Sequence, residues 1–407
     1  MRKKILLMMM TALLAGGAVY GQASKVTSAW NYLKYDELDK AKDAIELAVA
    51  NESTKDEAKT WYYRGLIYER IYKKQNDPKK PEFKNLSSNA LGEAYSSFKK
   101  AIQLDTKNKM PEIRDDMGAL TTDLFNTGAN AFNNKHYDTT IIFFTDFKEA
   151  LDLLGSPQKD KILETLKQNK IDINLITVEL GFSEEKTGDI ADAKVNYGKL
   201  IDQKYDDEAI YVHMALFEEQ DKDTVKALET LEKGINSCTK KTNLVIDRLN
   251  IYLGEGKPKE AVETGKQAIA LDPKNATIYV AIGGAYSKMG MHDDAKDMFK
   301  KAFDLNPDNF GVNYSVGLEY FNEGAAIYNK SLNETDMDKS SKLDNDAKEL
   351  WKSALPYLEK GDDIYKGNPN KNDLDNHKAI LESLSTIYAK LGDLKKSQEY
   401  RDRLNAK

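Results

Sequence analysis

The chain has little of the chemistry from which most enzyme sites are built. Its 407 residues contain one cysteine, Cys238, and four histidines. A single thiol cannot form an internal disulfide, which excludes a disulfide-stapled fold. No histidine lies next to Cys238, so we interpret this residue as a small apolar side chain of the core rather than as a nucleophile.

The histidines also lack the spacing of a metal site. His136, His213, His292 and His377 lie far apart, and none has a cysteine, histidine or carboxylate at the spacing that a metal site needs. The sequence contains no glycine-rich phosphate loop and no serine elbow. We therefore expect no enzyme activity, no metal and no cofactor.

Charge and hydropathy limit the kinds of partner that the chain can have. Acidic residues outnumber basic ones, 66 to 60, which disfavours nucleic acid as a partner. Arg2, Lys3 and Lys4 precede an uncharged apolar run at 5–19, and no later stretch approaches a membrane span. A basic start followed by a short apolar run is typical of a secretory signal peptide.

The length of the run separates a signal peptide from a membrane anchor. It has about 15 residues, whereas a spanning helix needs about 20, so we favour a cleaved signal peptide at 1–21 over a retained anchor. Cleavage after Gly21 and cleavage after Ala23 both fit, and neither site has the cysteine of a lipoprotein. We expect an exported, periplasmic mature chain without a lipid anchor or a membrane span.

Small residues recur with a period of 34. The first series is Ala193, Ala227, Ala261 and Ala295. Twelve residues upstream of each lies a second series, which continues once more: Gly181, Ala215, Leu249, Gly283 and Gly317. A register of this length predicts repeated helical hairpins rather than a globular helical domain.

The residues around these positions resemble the tetratricopeptide repeat (TPR). The best match is Tyr286, Gly290, Ala295, Phe299, Ala302 and Pro307. The resemblance implies an all-α fold, an α-solenoid (right-handed superhelix) of about nine hairpins over 22–407, with the strongest repeats at 174–309. Two antiparallel helices, A and B, approach closely in each hairpin where side chains are small.

Four segments exceed the repeat length. Insertions near 69–93 and 322–353 lie inside hairpins two and eight, and extra segments precede hairpins three and four, at 107–118 and 156–174. We expect the second insertion to form an elongated hairpin with a polar break at 333–341, and the polar end of the chain, 394–404, to form a capping helix. Such insertions either carry specificity or are tolerated surface elaborations.

In the TPR family, helix A lines a concave wall. Transferring those repeat positions to this chain gives seven aromatic groove candidates: Trp30, Tyr62, Phe125, Phe132, Phe182, Tyr314 and Phe321. Lysines are missing from the positions that clamp a peptide carboxylate in some relatives, so no such clamp is expected. Each candidate either anchors a partner or packs against the next repeat.

The resemblance implies a protein-binding scaffold or adaptor for polypeptide partners of the cell envelope. The alternative is a glycan-binding component of an outer-membrane uptake system. Two short motifs, which begin at Asp138 and Asp223, resemble acceptors for O-glycosylation at Thr139 and Thr224, but both aspartates also suit helix caps. The capping interpretation is preferred.

Overall fold

The computed structural model describes residues 25–75, 77, 79 and 83–405, so the expected signal peptide lies outside the described residues. This part of the chain contains helices and turns but no strand. The helices are α1 (25–34), α2 (Leu38–Val49), α3 (Ala58–Gln75), α4 (Ala90–Leu104), α5 (Glu112–Asn133), α6 (Tyr137–Leu154), α7 (Gln158–Gln168), α8 (Ile173–Thr187), α9 (Ile190–Asp202), α10 (Glu208–Gln220), α11 (Thr224–Ser237), α12 (Thr242–Gly254), α13 (Pro258–Leu271), α14 (Ala276–Lys288), α15 (His292–Leu305), α16 (Phe310–Asn333), α17 (Met337–Gly367), α18 (Leu374–Leu391) and α19 (Leu394–Asn405).

All of these helices except α7 pair with a chain neighbour. The pairs are α1/α2, α3/α4, α5/α6, α8/α9, α10/α11, α12/α13, α14/α15, α16/α17 and α18/α19. Each pair is one A/B hairpin, and the nine hairpins confirm the predicted all-α solenoid class. The expected segment at 156–174 contains the additional helix, α7, which packs against α5 and α6.

The chain forms two compact units, which divide between Leu200 and Ile201. Within the first unit, α2 packs on α3, α4 packs on α5 and α6, and α6 packs on α8. Within the second unit, the A helices α10, α12, α14 and α16 contact each other in that order. Hairpins therefore bury their faces against their neighbours, as stacked repeats must.

In several hairpins, helices A and B meet where helix A has a glycine and therefore no side chain. At four such glycines, a Cβ atom would lie 2.5–2.8 Å from an aromatic ring of helix B. The pairs are Gly65 with Phe98, Gly128 with Phe144, Gly181 with Tyr197, and Gly283 with Phe299. A ring in van der Waals contact with bare backbone leaves no room for even a methyl group.

In hairpin six, the large residue of this contact is on helix A and the small residue is on helix B. Leu249 occupies the small position of helix A and is fully buried, while Gly265 stands where other B helices carry a ring. Ile282 of the next hairpin fills the space above Gly265. The sum of the side-chain volumes at the contact is thus kept while its distribution changes.

The glycine-to-ring spacing locates the extra residues. The spacing is 16 residues for Gly128 and Phe144, but 33 for Gly65 and Phe98. In hairpin eight the equivalent contact, Gly317 with Leu358, spans 41 residues. Both excesses lie between helix A and helix B, so they lengthen the far end of the hairpin without moving the contact itself.

The elongated hairpin of the eighth repeat is confirmed by α16 and α17, which have 24 and 31 residues. The expected polar break is shorter than predicted, because residues 337–341 already belong to α17. Asp336 starts this helix early: its side chain accepts hydrogen bonds from the backbone N–H groups of Asp338 and Lys339. An aspartate in this capping position stabilises a helix start.

The predicted polar capping helix is α19, in which only Ser397 is buried. One charged cluster fastens it. Asp362 of α17 is 1 % exposed, and its carboxylate accepts hydrogen bonds from Arg403 Nη1 of α19 at 2.8 Å and from His377 Nε2 of α18 at 2.8 Å. Lys366 Nζ lies 2.7 Å from the same carboxylate.

Burial alone would raise the pKa of Asp362, but the hydrogen bonds from Arg403, Lys366 and His377 lower it to about 2. Since this pKa lies below the ordinary value of 3.8, the cluster stabilises the fold fully above that value and loses its contribution as the pH falls from 3.8 towards 2. We expect Asp362→Asn to lower the free energy of unfolding at pH 7 by roughly 2 kcal/mol and to flatten the pH dependence in that window.

Urea unfolding between pH 7 and pH 2 measures this effect. Asp363→Asn is the matched control, because Asp363 is the next residue of α17 and its side chain is 73 % exposed. Equal losses in the two variants would contradict the role given to Asp362.

The neighbouring glycines of α14 test the close approach of the two helices. A Cβ on Gly283 would lie 2.7 Å from Phe299, whereas a Cβ on Gly284 would meet nothing within 4 Å. We expect Gly283→Ala to lower the free energy of unfolding by about 1–3 kcal/mol through overpacking. Gly284→Ala should raise it by up to about 1 kcal/mol, because alanine is the better helix former. Denaturant unfolding of both variants measures these free energies. A Gly283→Ala variant as stable as Gly284→Ala would refute the packing argument.

Candidate partner-binding site

The seven aromatic candidates all lie on A helices, and all are partly buried. Trp30 is on α1, Tyr62 on α3, Phe125 and Phe132 on α5, and Phe182 on α8, all in the first unit; Tyr314 and Phe321 are on α16 in the second unit. None is wholly enclosed in the core. Each therefore has a packed side and an accessible side.

The first aromatic cluster links hairpins one and two. Trp30 stacks on Tyr63 with a centroid distance of 4.6 Å and an interplanar angle of 13°. Tyr63 in turn contacts Tyr62, whose ring meets Phe98 of α4. Sequence reasoning missed Tyr63, although its position next to Tyr62 on the helix was a signal.

A hydrogen bond fixes Tyr62 at the junction with hairpin three. Its hydroxyl donates to Asp116 Oδ2 of α5 at 2.7 Å. Burial and this hydrogen bond raise the pKa of Tyr62 above its ordinary value. The phenol therefore stays neutral and holds its ring in place, which pre-organises the cluster.

The second aromatic cluster links hairpins three and four. Phe132 and Phe182 meet edge to face at 6.0 Å, and Tyr137 at the start of α6 contacts both rings. Lys186 Nζ lies 4.7 Å from the centre of the Phe182 ring. The two predicted residues thus come together, and Tyr137 and Lys186 complete a surface that prediction did not include.

Phe125 lines a cleft of 340 Å³ between α5, α6 and α7. Its ring packs on Phe144 and Phe147 at 6.2 and 5.8 Å. The far wall comes from the additional helix and the turn after it: Ile162, Thr165, Leu166, Asn169 and Ile171. The segment was expected as extra sequence, but its contact with Phe125 was not.

Tyr314 and Phe321 form no cluster with each other. Tyr314 stacks parallel to Phe310, one helical turn earlier, with a centroid distance of 6.3 Å. The Phe321 carbonyl accepts a hydrogen bond from Trp351 Nε1 of α17 at 3.2 Å. Both residues are part of the packing within hairpin eight.

Tyr314 also ends an apolar row on the A helices of the second unit. Val212, Ile246, Val280 and Tyr314 follow each other at intervals of 34 residues, and all are partly exposed. Their helices, α10, α12, α14 and α16, contact each other in order. A search restricted to aromatic residues missed the first three, although the repeat register already contained them.

The other sequence candidates have local roles. Cys238 is buried, and burial beside Asp206 raises the pKa of its thiol to about 11, which favours the unreactive thiol form. Asp223 caps α11 by accepting from Lys226 N, as predicted. The capping prediction for Asp138 is wrong: the cap residue of α6 is His136, and Asp138 lies inside the first turn.

Among the described residues, no group of three or more histidine, cysteine, aspartate or glutamate side chains could hold a metal ion. Within the same ranges, no helix combines the length and the apolar character of a membrane span.

Some solved structures of other proteins resemble parts of this chain. The C-terminal part of a TPR repeat-containing protein from Cytophaga hutchinsonii is 13% identical over 69% of this chain and 93% of that one, with a TM-score of 0.46. MamA from Desulfovibrio magneticus RS-1 is 14% identical over 48% of this chain and 97% of that one, with a TM-score of 0.37. Both TM-scores are low, so neither likeness carries the assignment. No curated protein matches the chain.

The family model of the tetratricopeptide repeat matches residues 252–314. These residues span hairpins six and seven, where the small positions of the 34-residue register include Ala261, Gly283 and Ala295. This match, over two of the A/B hairpins, shows that the chain contains tetratricopeptide repeats.

Proposed function

We propose that this protein is a periplasmic scaffold or adaptor that binds polypeptide partners of the cell envelope on its A helices. The observation that carries the proposal is the arrangement of the two aromatic clusters. Their rings are held by packing, and Tyr62 also by a hydrogen bond, and they remain partly exposed. TPR proteins generally act as non-enzymatic scaffolds that bind proteins, which fits this arrangement.

Aromatic rings of this kind suit partner binding. Large rings bury much apolar area and lose little conformational entropy when they are already held in place. In protein interfaces, a few such residues supply most of the binding free energy. Phe132 and Phe182 meet these conditions, because each already rests against the other and against Tyr137.

The location in the periplasm is proposed from the sequence alone. It rests on the basic residues at 2–4, the apolar run at 5–19 and the small residues before position 24. If the proposal is right, protein recovered from the periplasmic fraction begins at Gln22 or Ser24, as read by intact mass. A mass that retains residues 1–21 would contradict it.

In-cell crosslinking with mass spectrometry tests the binding surface. We expect Phe132→Ser to reduce crosslinked partner proteins about tenfold, since truncating an interface anchor costs about 1.4 kcal/mol or more. Tyr35→Ser is the control, because Tyr35 is 79 % exposed and lies outside both clusters. Circular dichroism of both variants verifies that they remain folded.

The results distinguish a specific binding surface from a nonspecific effect. Unchanged partners in a folded Phe132→Ser variant would remove the second aromatic cluster from the interface. Equal losses in Phe132→Ser and Tyr35→Ser would point to a nonspecific effect of aromatic surface area.

A further inference from the structure

The cleft beside Phe125 exists because of helix α7, which belongs to no hairpin. Five residues of α5 and α6 form one side: Thr121, Thr122, Phe125, Asn126 and Phe147. The other side comes from α7 and the turn that follows it, through Ile162, Thr165, Leu166, Asn169 and Ile171. Its volume of 340 Å³ is near the lower end of ligand clefts, which range from about 300 to 1,000 Å³.

The lining contains no ionisable side chain, although 31% of the residues of the chain are charged. The floor is apolar, since Phe147 is 1% exposed and Leu166 is 8% exposed. A charged group that entered would lose its hydration and find no opposite charge in the lining. The cleft therefore selects an uncharged group with a substantial apolar surface.

The polar groups at the rim match a peptide group. The Asn169 amide donates to the Thr165 carbonyl at 2.8 Å, so its own Oδ1 atom remains able to accept. The Thr165 hydroxyl donates to the Lys161 carbonyl at 2.9 Å. Asn126 is exposed, and its side-chain amide makes no hydrogen bond with another described residue, so it can both donate and accept.

We infer that this cleft is an anchor pocket for one uncharged apolar side chain of a polypeptide partner, aromatic or branched aliphatic. The side chain inserts between Phe125 and the isoleucines Ile162 and Ile171. The amides of Asn126 and Asn169 hydrogen-bond the adjoining peptide N–H and C=O groups. This inference rests on the proposed function, and it assigns specificity to the helix that the repeat pattern does not require.

The test uses the full chain with isoleucine methyl groups labelled for NMR. N-acetyl-L-phenylalaninamide, which carries one apolar side chain between two peptide groups, is the probe. We expect it to shift the methyl signals of Ile162 and Ile171 saturably, with a dissociation constant on the order of 1–10 mM for a ligand of this size. The two signals are assigned from Ile162→Val and Ile171→Val.

Two substitutions in α5 test whether the probe binds in the cleft. Asn126→Asp places a charge at the rim and should weaken binding about fivefold or more. Asn130→Asp makes the same change at an exposed position of the same helix outside the cleft, and it should leave binding unchanged. Equal affinities in the two variants would overturn the role of Asn126.

Two further probes test the chemistry. N-acetyl-L-lysinamide has the same backbone and a charged side chain, and it should not shift the two signals. Methyl α-glucoside should not shift them either; saturable binding of the sugar without the phenylalanine amide would overturn a polypeptide anchor. Absence of saturable shifts with the phenylalanine amide would overturn the pocket itself. The two proposals can fail separately. If the phenylalanine amide binds in the pocket but Phe132→Ser leaves the crosslinked partners unchanged, the second aromatic cluster is not part of the interface, whereas the anchor pocket is supported.

Discussion

Four of the hairpins depend on the contact between a ring of helix B and the bare backbone of a glycine in helix A. Phe144 rests on Gly128 and Phe299 rests on Gly283, at distances that leave no space for a methyl group. This close approach brings the two helices together along the rest of their length. It also explains why the residues that follow the contact can vary in number: hairpin eight adds its extra turns beyond Gly317 and Leu358, where they do not disturb the packing.

Polar bonds set the register between successive hairpins. Tyr62 of α3 binds Asp116 of α5, and Tyr95 of α4 binds Glu149 of α6 at 2.6 Å, so both layers of hairpins two and three are joined by a phenol and a carboxylate. Arg64 of α3, which is 8 % exposed, joins hairpin two to hairpin one through Glu46 of α2, and it also binds Glu93 of α4 within its own hairpin. Apolar packing tolerates sliding more readily than these directional bonds, because a displaced buried donor would lose its partner.

The surfaces suited to binding arise where this regular packing is modified. Aromatic residues that bridge neighbouring A helices, such as Phe132 and Phe182, pack against each other and remain partly exposed. Helix α7 modifies the packing in another way, because it adds a second wall opposite Phe125. Both features leave apolar surface accessible without weakening the hairpin contact beneath it.

The sequence by itself determined the hairpins, their number, the elongated eighth repeat and the polar last helix. These features follow from spacings within one repeat, such as the interval between Gly283 and Ala295, and a short-range spacing is fully visible in the chain. Most of the aromatic candidates could be named for the same reason, since the repeat register gives their place on helix A. The Asp138 cap was misjudged because a helix start moves by a residue or two with the local turn.

Only the tertiary structure decided which side chains meet across hairpins. Tyr63 beneath Trp30, α7 beside Phe125, and Arg403 on Asp362 join residues that the repeat pattern does not relate. The apolar stripe of α7 predicts that it packs somewhere, but not that it packs on α5 and α6. Such contacts depend on the placement of whole helices, and that placement is set by the packing of many residues together rather than by any spacing along the chain.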